Sequence, residues 1–151
     1  MSLYRIGEVA RLSGITAANI RYYEREGLVR PSGREDNDYR LYTDDDLHRL
    51  RFIRMCRALD MSLDEVRTLL ELDWNSKADC AAALATVDGH LHHVRERLHE
   101  LQVLEQELQS LRGRCDGSDA RCHLIEALHA QADAPLSEVR APGAKAHKRH
   151  V

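Results

Sequence analysis

Residues 4–26, YRIGEVARLSGITAANIRYYERE, predict two short helices separated by a turn. In the first half of this stretch the apolar side chains recur at the spacing of one helix face. Gly14 interrupts that periodicity, and Thr16 belongs to a residue type that caps the N-terminus of a helix. Two short helices around a glycine-containing turn form a helix-turn-helix, a motif that presents its second helix to DNA.

Residues 28–42, LVRPSGREDNDYRLY, predict a β-hairpin directly after the second helix. Short β-like segments at 28–30 and 39–42 flank a middle that is rich in turn residues. A helix-turn-helix followed by an arginine-bearing hairpin is the order of a winged helix-turn-helix domain. The side chains here that suit contacts with base edges and phosphates are Asn19, Arg21, Tyr22, Tyr23, Arg34, Tyr39 and Arg40.

Two more helices complete the predicted N-terminal domain, residues 1–74. Thr43 with Asp46 forms a capping box that opens the first, and Ser62 with Glu65 repeats it for the second. The formal net charge of the chain is -3. DNA binding is therefore inferred from where the arginines fall and not from the overall charge.

Residues 76–113 predict one long helix with a narrow apolar stripe. Ser76 and Asp79 make a third capping box, which places Cys80 in the first turn, and Gly113 is a good stop. The stripe advances by three or four residues at a time, as in a coiled coil, and consists of Leu84, Val87, Leu91, Val94, Leu98, Leu101, Leu104, Leu108 and Leu111. Such a stripe needs a partner, most simply a second copy of the chain. The alternative is packing against the N-terminal domain of the same chain.

The last part of the chain combines a cysteine-flanked loop, a short helix and a tail. The loop CDGSDARC and the helix HLIEALHAQ lie within residues 114–131, and the histidine-bearing tail at 132–151 is expected to be disordered. The sequence shows neither an apolar run of ~18 residues nor an apolar signal-peptide core. We therefore expect a cytoplasmic protein without membrane contact, in which cysteines serve more often as ligands or catalysts than as disulfides.

Dense matches to a known family run from residue 4 to residue 70. IGEVA, IRYYEREGL, YRLYT and the run from LHRLRFIR through MSLDEVRTLL resemble the DNA-binding domain of the MerR family of transcriptional regulators. The resemblance implies a mainly α fold, with a winged helix-turn-helix domain, a long antiparallel coiled-coil dimerisation helix, and a short C-terminal metal-binding loop and helix. It also implies a homodimer that binds double-stranded promoter DNA with a long spacer. The regulator untwists and bends this DNA so that bacterial RNA polymerase can use it.

The resemblance also assigns DNA contacts by position, on the recognition helix, on the wing and on the helix that follows. The residues at those positions are Thr16, Asn19, Arg21, Tyr22, Arg34, Tyr39, Arg40 and Arg57. Tyr23 suits packing as well as it suits a DNA contact. These assignments make the N-terminal domain the part of the protein that reads the promoter.

Three cysteines are predicted to form a metal site between two chains. Cys80 and Cys115 are separated by ~52 Å along a continuous helix, so they cannot meet within one chain. An antiparallel pair brings Cys80 of one subunit beside Cys115 and Cys122 of the other, and the helix N-terminus favours a Cys80 thiolate. Three thiolates select soft or borderline metals such as cadmium, lead, mercury or zinc. Cys56, by contrast, is predicted to be a small buried apolar residue.

The six-residue spacing between Cys115 and Cys122 resembles the cadmium- and lead-responsive branch of the family. A cysteine at the start of the dimerisation helix is a further mark of the members that sense divalent metals. We therefore expect Cd(II) or Pb(II) as the effector, with Zn(II) or Hg(II) as alternatives. A thiol redox sensor is another reading, although it has no use for Cys80. An enzyme is not expected, because a zinc enzyme needs an open coordination site and a general base in a concave pocket, and the sequence offers neither a second domain nor a plausible pocket.

Histidines offer a second, weaker metal site. His90 and His93 are spaced i, i+3 on the long helix and could share an ion, to which His147 and His150 of the tail could add. The simpler interpretation, which we prefer, places His90 and His93 on a polar face beside the apolar stripe.

Overall fold

The computed structural model describes residues 2–30, 33–34, 39–115, 117–118 and 120–135, and for 33–34 the backbone alone. Over these residues the chain is mainly helical, as predicted, with short strands near the N-terminus. The elements are β1 Leu3–Arg5, α1 Ile6–Ser13, α2 Ala17–Arg25, β2 Gly33–Arg34, β3 Arg40–Thr43, α3 Asp44–Ala58, α4 Leu63–Leu70, α5 Lys77–Arg112 and α6 His123–Ala132. None of the described helices is long and apolar enough to cross a membrane.

The predicted helix-turn-helix is confirmed by α1 and α2. Gly14 ends α1 in the left-handed conformation, with a φ of 73°, and its N–H donates to the carbonyl of Ala10. The side chain of Thr16 accepts a hydrogen bond of 3.2 Å from the N–H of Asn19 and caps α2. The turn is therefore built from a residue that tolerates positive φ and a residue that satisfies a free helix N–H.

The wing is a three-stranded antiparallel sheet in the order β1-β3-β2, in which Tyr4 pairs with Tyr42 and Arg34 with Arg40. The prediction of a strand at 28–30 is wrong. Leu28 and Val29 are 1% exposed and belong to the hydrophobic core, so their apolar character serves burial and not strand pairing. Strand β1 was not predicted, because three residues are too few to show an alternating pattern.

The predicted capping boxes of α3 and α4 are both complete. In each, a hydroxyl accepts from the backbone N–H three residues on, and an acidic side chain accepts from the N–H of the cap residue. These helices supply much of the core, whose most deeply buried large residues are Tyr42, Ile20, Leu28, Leu50, Ile53, Val9, Val29, Val66 and Cys56. The prediction that Cys56 is buried is confirmed, and burial raises the pKa of its thiol.

The chain divides into two compact units, residues 1–90 and 91–151. Helix α5 is continuous for 36 residues. Its predicted capping box is half formed: the Ser76 hydroxyl accepts from the Asp79 N–H at 3.2 Å, but the Asp79 carboxylate accepts from the N–H of Asp73 at 2.7 Å. The first turns of α5 thus belong to the first unit, together with α1 to α4.

The apolar stripe of α5 is uncovered in the single chain. Its side chains from Leu84 to Leu108 are 40–62% exposed. A row of half-exposed leucines and valines on a helix this long is the pattern of a surface that another helix covers.

Candidate DNA interface and metal centre

The recognition helix α2 has an exposed polar face and a buried apolar face. Arg21 is exposed and Asn19 half-buried, as contacts with DNA require. Tyr22 is half-buried, and the guanidinium of Arg25 lies 5.9 Å from the centre of its ring. Tyr23 is 7% exposed and belongs to the core, so it packs and is not available to DNA.

The wing presents an aromatic residue beside a cation. Tyr39 is 57% exposed, and the guanidinium of Arg5 lies 5.3 Å from the centre of its ring. Arg5 was not predicted as part of this surface, because the sequence pattern places it in the helical stretch 4–26, and only the sheet pairing brings β1 next to β3. The side chain of Arg34 lies outside the described residues.

Glu24 joins the recognition helix to the wing. Its carboxylate lies 2.9 Å from the guanidinium of Arg40 and accepts a hydrogen bond from the hydroxyl of Tyr42. Burial, together with the hydrogen bond and the charge of Glu24, raises the pKa of Tyr42 well above its usual value. Sequence reasoning missed Glu24. The available signal was the presence of an acidic residue on a helix that should face phosphates. A carboxylate in that position requires a cationic partner from the same protein.

Arg40 and Arg57, both predicted to contact DNA, also make contacts inside the first unit. The side chain of Arg40 is 39% exposed while it pairs with Glu24. Arg57 is half-buried and donates to the carbonyl of Met61 at 2.7 Å. Each therefore has a structural role. The contact of each residue with DNA stays a prediction.

The loop after α5 brings two of the predicted metal-binding thiols together. The Sγ atoms of Cys115 and Cys122 are 4.0 Å apart, and both side chains are accessible. Two thiolates that bind one tetrahedral ion at ~2.3 Å are separated by about 3.8 Å, so this spacing fits a shared metal ion.

Cys122 occupies the N-cap position of α6. The backbone N–H of Ile125, the thiol of Cys115 and the N–H of Leu124 all stabilise its thiolate, and they lower its pKa. The N-terminus of α6 therefore favours the negatively charged thiolate of Cys122, which is the form that binds metal ions.

Cys80 is exposed in the first turn of α5, and its N–H donates to the carbonyl of Ser76 at 2.9 Å. Within the described part of this single chain, no three His, Cys, Asp or Glu side chains are grouped closely enough to hold a metal ion. Of the three predicted ligands, the structure thus brings Cys115 and Cys122 together.

The histidines of α5 have different surroundings. His90 is 8% exposed, so the polar face that was predicted beside the apolar stripe is buried at this residue. Its Nε2 lies 2.8 Å from the carbonyl oxygen of Leu59, and its Nδ1 lies 3.1 Å from a carboxylate oxygen of Glu65. His93 is exposed, and the predicted partners His147 and His150 lie outside the described residues. If His90 bound a metal ion, it would have to give up one of its two contacts.

Two family models match this chain. The MerR HTH family regulatory protein model matches residues 4–73, and the MerR DNA-binding model matches residues 47–111. Together they cover the winged helix-turn-helix and nearly all of α5.

Curated relatives match most of the chain. The HTH-type transcriptional regulator ZntR of Escherichia coli K12 is 38% identical over 130 residues, which are 83% of this chain and 92% of that protein. Heavy metal-dependent transcription regulator 2 of Rhizobium meliloti is 35% identical over 123 residues, 80% of this chain and 83% of the relative.

A similar solved structure is the transcription regulator PbrR691 from Ralstonia metallidurans CH34 in complex with lead(II). It shares 42% sequence identity with a TM-score of 0.72, and the match covers 82% of this chain and 98% of PbrR691. This chain therefore belongs to the MerR family of DNA-binding transcriptional regulators. Its relatives are regulators and not enzymes.

Proposed function

We propose that this protein is a metal-responsive transcriptional regulator that binds promoter DNA as a homodimer. Cd(II) or Pb(II), held by Cys80 of one subunit and by Cys115 and Cys122 of the other, is the proposed signal. The observation that carries the proposal is the 4.0 Å spacing of the Cys115 and Cys122 thiols, in a chain 42% identical to a regulator solved with lead(II).

The homodimer is supported by the uncovered stripe of α5. Apolar side chains that are 40–62% exposed along one face gain about 25 cal/mol per Å² when a partner covers them. A second copy of α5 carries a matching stripe, and an antiparallel pairing places the start of one helix beside the end of the other. Cys80 belongs to the start, and Cys115 follows the end.

The choice of metal rests on the donor atoms. Thiolates are soft ligands, and a bound soft ion supplies a cross-link between the two chains. Zn(II) and Hg(II) also bind thiolates and are the alternative effectors of the same site. The relative named as heavy metal-dependent supports a metal signal without specifying the ion.

Promoter recognition is assigned to α2 and the wing. Arg21, Asn19 and Tyr39 are accessible on the surfaces that a winged helix-turn-helix turns toward DNA. Two winged helix-turn-helix domains in a dimer can read two half-sites. Metal binding changes how the two domains bend the DNA between these half-sites. RNA polymerase then engages a promoter whose elements are otherwise misaligned.

A thiol redox sensor is the second candidate, because two accessible thiols 4.0 Å apart can also be oxidised to a disulfide. The two candidates differ in Cys80, which a disulfide between Cys115 and Cys122 does not need. Thiol titration before and after Cd(II) addition separates them. The metal reading expects protection of three thiols per chain, and the redox reading expects activation by oxidant without metal.

A heterodimer tests the shared site. One chain carries Cys80→Ser and the other carries Cys115→Ser with Cys122→Ser. A shared arrangement leaves one intact three-thiolate site and one empty of thiols, so we expect one tightly bound Cd(II) per heterodimer and about half of the wild-type thiolate-to-metal absorption.

The controls for this experiment are the homodimers. Each mutant homodimer should lose tight Cd(II) binding, while a Cys56→Ser homodimer should keep it because Cys56 lies in the core. Absence of tight binding in the isolated heterodimer would refute sharing between subunits. In vitro transcription with a panel of metals then identifies the effector, and activation by Cu(I) above Cd(II) and Pb(II) would overturn the assignment.

A further inference from the structure

His90 is the one buried residue among the 36 of helix α5. Its side chain is 10% exposed, whereas the side chain of His92, two residues along, is 70% exposed. The proposed function gives His90 no task, since the predicted metal ligands are cysteines. A buried polar ring on an otherwise exposed helix calls for a physical reason.

Both nitrogens of the ring contact the head, which is the part of the first unit that precedes α5. Nε2 contacts the carbonyl oxygen of Leu59 at 2.8 Å, and Nδ1 contacts the carboxylate of Glu65 at 3.1 Å. Leu59 closes α3, and Glu65 caps α4 through a second hydrogen bond, from the N–H of Ser62 at 3.1 Å. The ring is therefore fixed at the turn between α3 and α4, where Asp60 adopts a positive φ of 64° that few non-glycine residues tolerate.

Helix α4 continues this connection to the recognition helix. Arg67 donates to the carbonyl of Glu26 at 2.9 Å, and its guanidinium lies 3.7 Å from the Glu26 carboxylate. Glu26 is the residue that closes α2. Helix α4 is thus joined to α5 through Glu65, and to the end of the helix that carries Arg21 through Arg67.

We propose that His90 is the positioning residue that transmits a movement of the first turns of α5 to the recognition helix. Cys80 precedes it by ten residues on the same helix, ~15 Å at the rise of an α-helix. A shift of the Cys80 end therefore reaches His90 through unbroken helix. The two contacts of the ring oblige the α3–α4 turn to follow, because the ring is buried and its nitrogens would otherwise lose their hydrogen-bonding partners.

This proposal rests on the proposed function, because it assumes that a signal arises at Cys80. It differs from the use of His90 as a metal ligand, since a ligand must release Leu59 or Glu65 while a positioning residue must keep both. Metal stoichiometry distinguishes these two roles.

The test uses the full-length protein with His90→Ala, and His92→Ala as the matched control on the exposed side of the same helix. For His90→Ala we expect Cd(II) stoichiometry and affinity to stay within about twofold of wild type, and operator affinity within about threefold. Metal-dependent activation in vitro should fall at least tenfold, while His92→Ala should behave as wild type. His90→Gln, which keeps one donor, should recover part of the activation.

Hydrogen exchange provides a readout that does not depend on metal. The amides of residues 59–65 should exchange faster in His90→Ala than in wild type and His92→Ala. Unchanged exchange there, or full activation by His90→Ala, would overturn the proposal, as would a loss of activation that only follows a loss of bound Cd(II). If wild type itself shows no response to any metal while exchange rises as expected, the proposed function has failed, and the contact between α5 and the head stands without a signalling role.

Discussion

Apolar side chains meet opposite environments in the two halves of this chain. In the head, the core residues of α1 to α4 and of the segment before the wing are 0–7% exposed. Along α5, leucines and valines of the same kinds are 40–62% exposed. The head therefore completes its core within one chain, whereas the stripe of α5 stays exposed in the single chain and is the surface that the proposed dimer would cover. If that proposal holds, stability of the head and assembly of the dimer should respond to different substitutions.

The largest effect is expected from a charge placed in the stripe. Leu98→Glu removes an apolar side chain twice per dimer, at roughly 2 kcal/mol each, and so should weaken dimerisation about 1,000-fold. Sedimentation equilibrium measures the constant. His99→Glu, which adds the same charge at an exposed position next to the stripe, should leave it nearly unchanged. Equal dimerisation of the two variants would show that α5 is covered in another way.

A substitution in the core of the head tests whether that core is stable independently of dimerisation. Leu50→Ala removes a side chain that is fully buried, and should lower the free energy of unfolding by about 3 kcal/mol. Urea unfolding at one protein concentration measures the loss. The control is Leu3→Ala, at a residue that is 57% exposed. If Leu50→Ala instead changed the dimerisation constant and left unfolding intact, the two regions would not be separable.

DNA recognition should follow the head and not the stripe. Arg21→Ala removes an exposed guanidinium from α2 and should weaken operator binding roughly 10- to 100-fold. Neither the dimerisation constant nor Cd(II) affinity should change. A gel-shift titration measures the operator affinity, and wild-type binding by this variant would remove Arg21 from the interface.

The smallest effects compare a complete capping box with a half-formed one. At Ser62 both reciprocal hydrogen bonds are present, so Ser62→Ala should cost about 1 kcal/mol of stability. At Ser76 the hydroxyl makes its bond, but Asp79 binds the N–H of Asp73 instead. Ser76→Ala should therefore cost less, about 0.5 kcal/mol. Thermal unfolding of the two variants decides the order, and a larger loss at Ser76 would contradict it.

Much of the fold was predictable because its signals are local. Gly14, Thr16 and the capping boxes at Thr43 and Ser62 act within one helical turn, so residue type and spacing suffice to find them. The segment 28–30 misled because apolar residues in a short run suit a strand and a buried loop equally well. Which of the two forms depends on the neighbours that the chain meets.

The candidate site also combines features that depend on local sequence with features that depend on distant contacts. The spacing of Cys115 and Cys122 around a glycine-containing loop predicted a thiol pair, and the loop is short enough to bring the two within 4.0 Å. The partners of Glu24 and His90 were not predictable, because they lie far along the chain. Glu24 pairs with Arg40 and Tyr42, and His90 with Leu59 and Glu65.

The sequence by itself determined the helix-turn-helix, the caps, the length of α5 and its apolar stripe, because each depends on a periodicity or a contact within a few residues. Only the tertiary structure decided that Leu28 and Val29 are core, that β1 joins the wing, and that one histidine of α5 is buried against the α3–α4 turn. Those outcomes depend on which surfaces meet when distant segments pack, and burial then selects among side chains that look alike in the sequence.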